Sequence, residues 1–307
     1  MLNVLLHVLV YISFLFFVCA FTMKAIKYAR MPIHLRWELY PVAHEVGHAS
    51  GGSYLEELDW WTKPRKQSLL GELRYMAREG LLFEKCYRKN RGLWYFTYPF
   101  HMGLFLLIGW LFLLFIGALM IASGVSITDS ASTWAIIIHY LTVGAGIAGL
   151  VLGALGCIGL IIKRSSDENF RLYTSPIDYF NLSLILAILL SGLSSWYFFD
   201  PSFATAREFI KSLITLSPVA NLSPAMVIGV TLFCVFLIYM PFTHMMHGLA
   251  KYFTYHKVAW QDEPNLPGSH IEKEVEELLR QPVSWSAPHI QPGRRWNEIV
   301  LDRREAK

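Results

Sequence analysis

The chain has 307 residues, 54% of them hydrophobic, 15% aromatic and only 16% charged, with a formal net charge of +4. A soluble domain carries about a quarter charged residues, so this balance excludes an ordinary water-soluble fold and a strongly basic nucleic-acid-binding module. The four cysteines, Cys19, Cys86, Cys157 and Cys234, include no CxxC pair, so neither an iron–sulfur cluster nor a zinc ribbon is built from them.

The apolar residues gather in blocks long enough for bilayer-spanning helices of about 20 residues. Five spans are predicted, over residues 4–23, 99–123, 133–162, 176–198 and 223–250. The first has the look of a signal peptide but lacks a charged start and a small-x-small cleavage pattern. It continues into Lys24, Lys27 and Arg30, as an uncleaved span with a basic stop does. The fold class expected is an all-α integral membrane protein, a bundle of about five transmembrane helices. Residues 1–250 form the membrane domain, with a loop at 24–98, and residues 251–307 a polar tail.

Of the 27 Lys and Arg residues, 25 lie in the 24–98 loop, in the connection between the third and fourth spans, or in the tail. The other two, Arg207 and Lys211, lie between the fourth and fifth spans. Positive residues stay inside, so the N-terminus is expected outside an inner (cytoplasmic) membrane, with the loop and tail cytoplasmic. Apolar residues at near-helical spacing predict an amphipathic helix over Ser68–Phe83. A second is expected at His270–Leu279, before Pro282 and an aromatic extended segment from Trp285 to Trp296. These two pieces are expected to dock a cytoplasmic partner.

Ionisable residues within spans are costly and mark function. His101 and His247 fall near the cytoplasmic ends of the second and fifth spans; His7 and His139 fall near the outer ends of the first and third. Bis-histidine haem needs two imidazoles at one depth on facing helices. His101 with His247 meets that requirement, with His244 as a rival to His247. His7 with His139 is a second, outer pair. Gly146, Gly149, Gly153 and Gly156 line one stripe after His139; the stripe suits close helix packing or the face of a porphyrin, and the spacing does not decide between them.

Residues His44 to His48 read HEVGH, the pattern of a zinc metalloprotease helix with Glu45 as general base. Pro41 just before it and Ala49-Ser50-Gly51-Gly52 just after it leave little room for such a helix. Glu56, Glu57 and Asp59 are the available third ligands, none at a typical distance.

The segments PFTHMMHG and YPFHMGLFL resemble the cytochrome b (gamma) subunit of respiratory nitrate reductase. That likeness implies that His101 and His247 bind the haem nearer the cytoplasm. RWELYP, GGSYLEELDWWTKPR, NRGLWYF, HKVAWQDEPN and VSWSAPHI look like the membrane cytochromes of Dsr-type and Hmc/Tmc-type redox complexes of sulfate reducers and sulfur oxidisers. Those complexes exchange electrons between menaquinone and a cytoplasmic iron–sulfur protein related to heterodisulfide reductase, with further membrane and periplasmic cytochrome subunits. The same likeness explains HEVGH as a loop variant that is not a metal site. The chain departs from the nitrate reductase pattern at Leu111 and Gly229, where that family places its outer-haem histidines. An outer haem therefore uses His7 and His139 or is absent.

The expected function is electron transfer by a membrane b-type cytochrome subunit of a quinone/quinol oxidoreductase, with one or two haems b and menaquinone as substrate. Arg207, Glu208 and Lys211 are candidates for the quinone carbonyl and its protons, or form a solvated turn. The alternatives are a non-redox membrane anchor and a membrane zinc protease.

Overall fold

The computed structural model describes residues 2–31, 42–46, 53–64, 66–127, 132–218, 222–288 and 290–301. Among these residues the structure is helical, with β-pairing limited to isolated bridges. Five helices have the length and apolar composition to cross a bilayer, so the chain is a multi-pass membrane protein. The chain divides into two compact units, Met1–Cys19 with Ala77–Pro241, and Ala20–Met76 with Phe242–Lys307.

Helix α1 covers Leu2–Ala29. Helices α2 (Leu69–Ala77) and α3 (Glu84–Lys89) precede α4 (Arg91–Ala122), whose first turn is capped by the Asn90 side chain accepting from the Leu93 N–H. Helix α4 starts eight residues before the predicted span, because the aromatic run after Asn90 is helical and Pro99 is accommodated inside it. Helices α5 (Thr133–Ser166), α6 (Glu168–Tyr173) and α7 (Pro176–Phe198) follow. The start of α7 matches its prediction, fixed by Pro176 and the Ser175–Asp178 capping box.

After α7 comes a short amphipathic helix, α8 (Ala204–Thr215), which carries the quinone candidates Arg207, Glu208 and Lys211 where a solvated turn was the alternative expected. Its N-terminus is held by the Asp200 carboxylate, which accepts from the Ala204 N–H at 2.8 Å and the Ala206 N–H at 3.0 Å. Helix α9 (Pro224–Tyr239) is the fifth span. The prediction ran it to 250, but Pro241 lies in a 3₁₀ turn just beyond it and a second 3₁₀ turn covers His244–Met246. Proline removes a helical donor, so the apolar run outlasts the helix. The tail holds α10 (His247–Thr254), α11 (His270–Leu279, as predicted) and α12 (Trp296–Leu301).

In the first unit α5 is the hub: half of its most apolar window is buried, against 11–22% for the other four spans. Its glycines explain why. A Cβ at Gly156 would meet the Phe100 backbone nitrogen at 2.4 Å, and one at Gly149 would meet Leu107 at 2.9 Å. Gly146 lies under Trp110 and Phe203, and Gly153 against Leu189 of α7. The glycine stripe is therefore a helix-packing surface, with small residues letting the backbones approach. Helices α7 and α9 are joined by Tyr239 donating to Asn181 Oδ1 at 2.8 Å. Leu6 of α1 and Phe209 of α8 form a buried cluster with Val10, Leu213 and Met226 around them.

The second unit has its own core of Val42, Tyr255, Ala259 and Trp260, with Tyr75 and Met76 of α2 packed against it. Tyr255 stacks on Trp260 at 4.8 Å and Tyr75 meets Trp260 edge-on at 5.2 Å. Lys257 donates to the Ala29 carbonyl at 2.6 Å, placing a cation at the C-terminus of α1 where the helix dipole favours one. Beside the core lies a buried polar node: Asp262 accepts from the Tyr54 hydroxyl, from Gln67 at 3.4 Å, and faces His44 Nε2 at 3.0 Å. Removing one partner of a buried pair strands the others, at about 3–5 kcal/mol. Asp262→Ala is therefore expected to raise hydrogen exchange around Tyr75 and Trp260 by that margin, with Asp262→Asn milder. Unchanged exchange in Asp262→Ala would show that the node contributes nothing.

That node accounts for HEVGH. His44 is spent on Asp262, and Glu45 Oε1 accepts from the Val42 N–H and the Ser53 hydroxyl. Residues 42–46 form a turn and a bridge to Gln67, not the helix the protease pattern requires. His48 lies outside the described residues. Among the described residues no group of three or more His, Cys, Asp or Glu is placed to hold a metal ion.

Candidate functional site

His101 sits on α4, half-buried, in an aromatic setting: the rings of Phe83, Phe100 and Phe105 lie 4.7, 5.1 and 6.5 Å from its own. Its Nδ1 faces the Thr97 carbonyl at 2.8 Å. His247 opens α10, exposed, with Nδ1 facing the His244 carbonyl at 3.1 Å. His244 is in the preceding 3₁₀ turn, where Thr243 caps by accepting from the Met245 N–H. Both predicted ligands therefore lie near the break after the fifth span or near the start of the second. His101 belongs to the first unit and His247 to the second.

A carbonyl only accepts, so Nδ1 is the donor in His101 and in His247. Metal-bound histidines are held in this way, with the second ring nitrogen donating to a backbone carbonyl. The donor sets at 101 and 247 thus fit an axial role on iron.

The outer residues are arranged differently. His7 has both ring nitrogens engaged, Nδ1 with the Asn3 carbonyl at 2.6 Å and Nε2 with the Ser212 hydroxyl at 2.8 Å, and its ring packs 5.6 Å from Phe209. His139 Nδ1 faces Arg207 Nη2 at 3.5 Å. A guanidinium only donates, so here Nδ1 is the acceptor and the proton of the neutral ring sits on Nε2. Each histidine contacts α8, His7 through Ser212 and His139 through Arg207. The family's alternative positions are also closed or turned away: a Cβ at Gly229 would meet Ser191 Oγ at 2.7 Å, and Leu111 is exposed.

Arg207 is only 1% exposed, the most deeply buried charged side chain among the described residues. Gly117 of α4 makes room for it, since a Cβ there would meet Arg207 Cδ at 2.8 Å. Nη2 donates to the Ser202 carbonyl at 2.9 Å, while Nη1 has no partner. Burial pulls the Arg207 pKa below the usual arginine value, with nearby Asp200 opposing the shift. Arg207 and Glu208 line a cleft of about 330 Å³ with Ile121, Gly124, Val125, Ser126, Ile127 and Ala204. Lys211 is not part of that lining and pairs with Glu208 at 3.0 Å. The depth of Arg207 was not readable beforehand, because its only sequence signal was a charge between two spans.

The family model for the nitrate reductase gamma subunit matches residues 86–262, more than half of the chain. The chain belongs to the nitrate reductase gamma subunit family. The matched segment contains His101, His247 and the whole of α8. The chain is 22% identical over 293 residues to the Hdr-like menaquinol oxidoreductase cytochrome b-like subunit of Archaeoglobus profundus, covering 85% of this chain and 84% of the relative. It is 27% identical over 133 residues to the nitrate reductase gamma chain of Bacillus subtilis, covering 38% of this chain and 57% of that one. No solved structure matches the chain at a significant level. It is thus a membrane protein of the cytochrome b-like kind.

Proposed function

We propose that the chain is the haem b subunit of a menaquinone-linked membrane complex, with His101 and His247 as the axial ligands of one haem. The observation that carries this reading is that in both histidines Nδ1 faces a main-chain carbonyl, as in metal-bound histidines, within the segment that defines the family. Bound haem supplies a one-electron carrier; the chain's own residues ligate, fix ring orientation and exclude water. The Thr97 carbonyl fixes the His101 imidazole, and Phe83 and Phe100 shield it.

The charge asymmetry supports an inner-membrane protein with its N-terminus outside and its loop and tail in the cytoplasm. On that orientation His101 and His247 lie toward the cytoplasm, and α8 lies on the outer side. Electrons then pass between menaquinone on the outer side and an iron–sulfur partner inside. The likeness to the Hdr-like menaquinol oxidoreductase subunit of Archaeoglobus profundus supports a heterodisulfide-reductase-like partner. The loop and tail segments, which share the second unit, form the docking face for it.

The test is a visible spectrum of purified protein with a haem-to-protein ratio. A reduced α band typical of haem b at one haem per chain is the expected result. Protein that folds and purifies without any haem would overturn the reading and leave a non-redox anchor.

A further inference from the structure

We propose that residues 78–89, just ahead of α4, form a strap that fixes one haem ligand: Phe83 positions the His101 imidazole, and the buried carboxylate of Glu79 locks Phe83 in place. This rests on the ligation proposed above and names the residues that hold one ligand in its orientation.

Phe83 stands in the left-handed region of the backbone, at φ 54° and ψ 46°. For an L side chain that conformation costs on the order of 1–2 kcal/mol, and a strained residue persists only where its surroundings over-determine it. Here it joins the π-helical turn Arg78–Leu82 to α3 and brings the Phe83 ring to 4.7 Å from the His101 ring, tilted by 44°. Glycine would make the same turn at no steric cost, so a phenylalanine in this conformation points to a use for its ring.

Two contacts hold the turn. Glu79 is 6% exposed, and its Oε1 accepts from the Lys85 N–H at 2.8 Å, closing the chain across Phe83. A buried carboxylate is costly unless it is hydrogen-bonded, and bonds to an ionised acceptor are among the stronger ones. Trp94 Nε1 donates to the Leu82 carbonyl at 2.9 Å, and the Trp94 ring stacks on Tyr98 at 4.7 Å. Trp94 and His101 are two helical turns apart on α4 and share a face. The strap is thus pinned to the helix face that carries the ligand, and these contacts all lie within the first unit. The Thr97 carbonyl holds His101 by one nitrogen. Phe83, with Phe100 at 5.1 Å, limits rotation of the ring about its Cβ–Cγ bond. Phe83 is a positioning residue, and Glu79 acts through it.

The experiment uses the full chain with its haem in lipid nanodiscs. Two readouts are followed: the low-spin ferric EPR signal, which reports the orientation of the axial imidazole planes, and the rate of haem transfer to apomyoglobin. Phe83→Gly is expected to stay folded, since glycine takes the turn without strain, yet to shift the EPR signal and speed haem transfer by about tenfold or more, the range for changes to groups that orient a ligand. Phe83→Tyr keeps the ring and is expected to match the wild type. Glu79→Ala is expected to reproduce Phe83→Gly, and Glu79→Gln, whose amide oxygen still accepts from the Lys85 N–H, to restore both readouts. Wild-type readouts in Phe83→Gly and Glu79→Ala overturn the strap and leave the His101 ligation intact. A change in Phe83→Gly with none in Glu79→Ala overturns the lock, and an equal change in Phe83→Tyr overturns the role of the ring. A wild-type chain that purifies without haem overturns the strap and the ligation together.

Discussion

His101→Ala and His247→Ala are each expected to yield folded protein that has lost its haem b spectrum. Even changes to residues that only orient a ligand lower metal affinity by about 10–100-fold, and these variants remove the ligand atom itself. His101 is the cleaner of the two, because its neighbours in α4 are retained and its removal leaves a space bounded by Phe83 and Phe100. His247 has a rival three residues away, so His244→Ala is the informative control. It is expected to keep the full haem ratio, because alanine retains the carbonyl that accepts from His247 Nδ1. Haem lost in His244→Ala and retained in His247→Ala would exchange the two assignments. A milder variant, His247→Met, keeps a soft ligand and is expected to retain haem with a shifted spectrum, distinguishing ligation from simple unfolding.

The membrane spans were readable in the sequence because bilayer insertion is a property of composition summed over a window, and five blocks satisfy it without reference to the rest of the chain. The ends of those blocks were less readable. At the start of α4 the residues Arg91 to Tyr98 mix charge with aromatics, so hydropathy stops where the helix does not. At the end of α9 the reverse happens, and Met240 to Phe242 stay apolar after Pro241 has broken the helix. His247 consequently begins a new helix where the sequence reading had it near the end of a span. The polar features that matter most depend on pairings between distant residues. His44 and Asp262 are 218 residues apart and Arg207 and His139 are 68 apart, and no local pattern encodes either pair. HEVGH shows the same limit: the pattern is local, while the partner that fixes His44 lies in the tail. Arg207 stood out in the sequence as a candidate for a quinone carbonyl or part of a solvated turn, but its depth did not show there. The space that admits it comes from Gly117 on another helix, and a glycine within an apolar span carries no mark of the neighbour it accommodates.

Glycines on α5 differ widely in their expected effect on stability, and the structure ranks them. Gly144 has nothing within 4 Å of an added Cβ, so Gly144→Ala is expected to be neutral or slightly stabilising, since alanine is the better helix former. At Gly153 the nearest atom is Leu189 Cδ1 at 3.2 Å, the end of a side chain that can turn aside, and Gly153→Ala is expected to cost little. Gly156 is different in kind. Its Cβ would lie 2.4 Å from the Phe100 nitrogen and 2.6 Å from the Phe100 Cα, and backbone atoms inside a helix have no rotamer to change. Relief requires α4 and α5 to move apart, opening contacts along the whole seam from Phe96 to Trp110. Overpacking of this sort costs about 1–3 kcal/mol when side chains absorb it, so Gly156→Ala, where they do not, is expected at or above the upper end of that range. Thermal unfolding in detergent of the three variants checks the order; equal melting temperatures for Gly144→Ala and Gly156→Ala would mean that the seam is not close-packed. The same shift also reaches the cofactor. Phe100 precedes His101 on α4 and their rings are 5.1 Å apart, so displacing the Phe100 backbone displaces the ligand. Gly156→Ala is therefore expected to lose haem in proportion to its loss of stability, whereas His101→Ala loses haem with the α4–α5 seam intact.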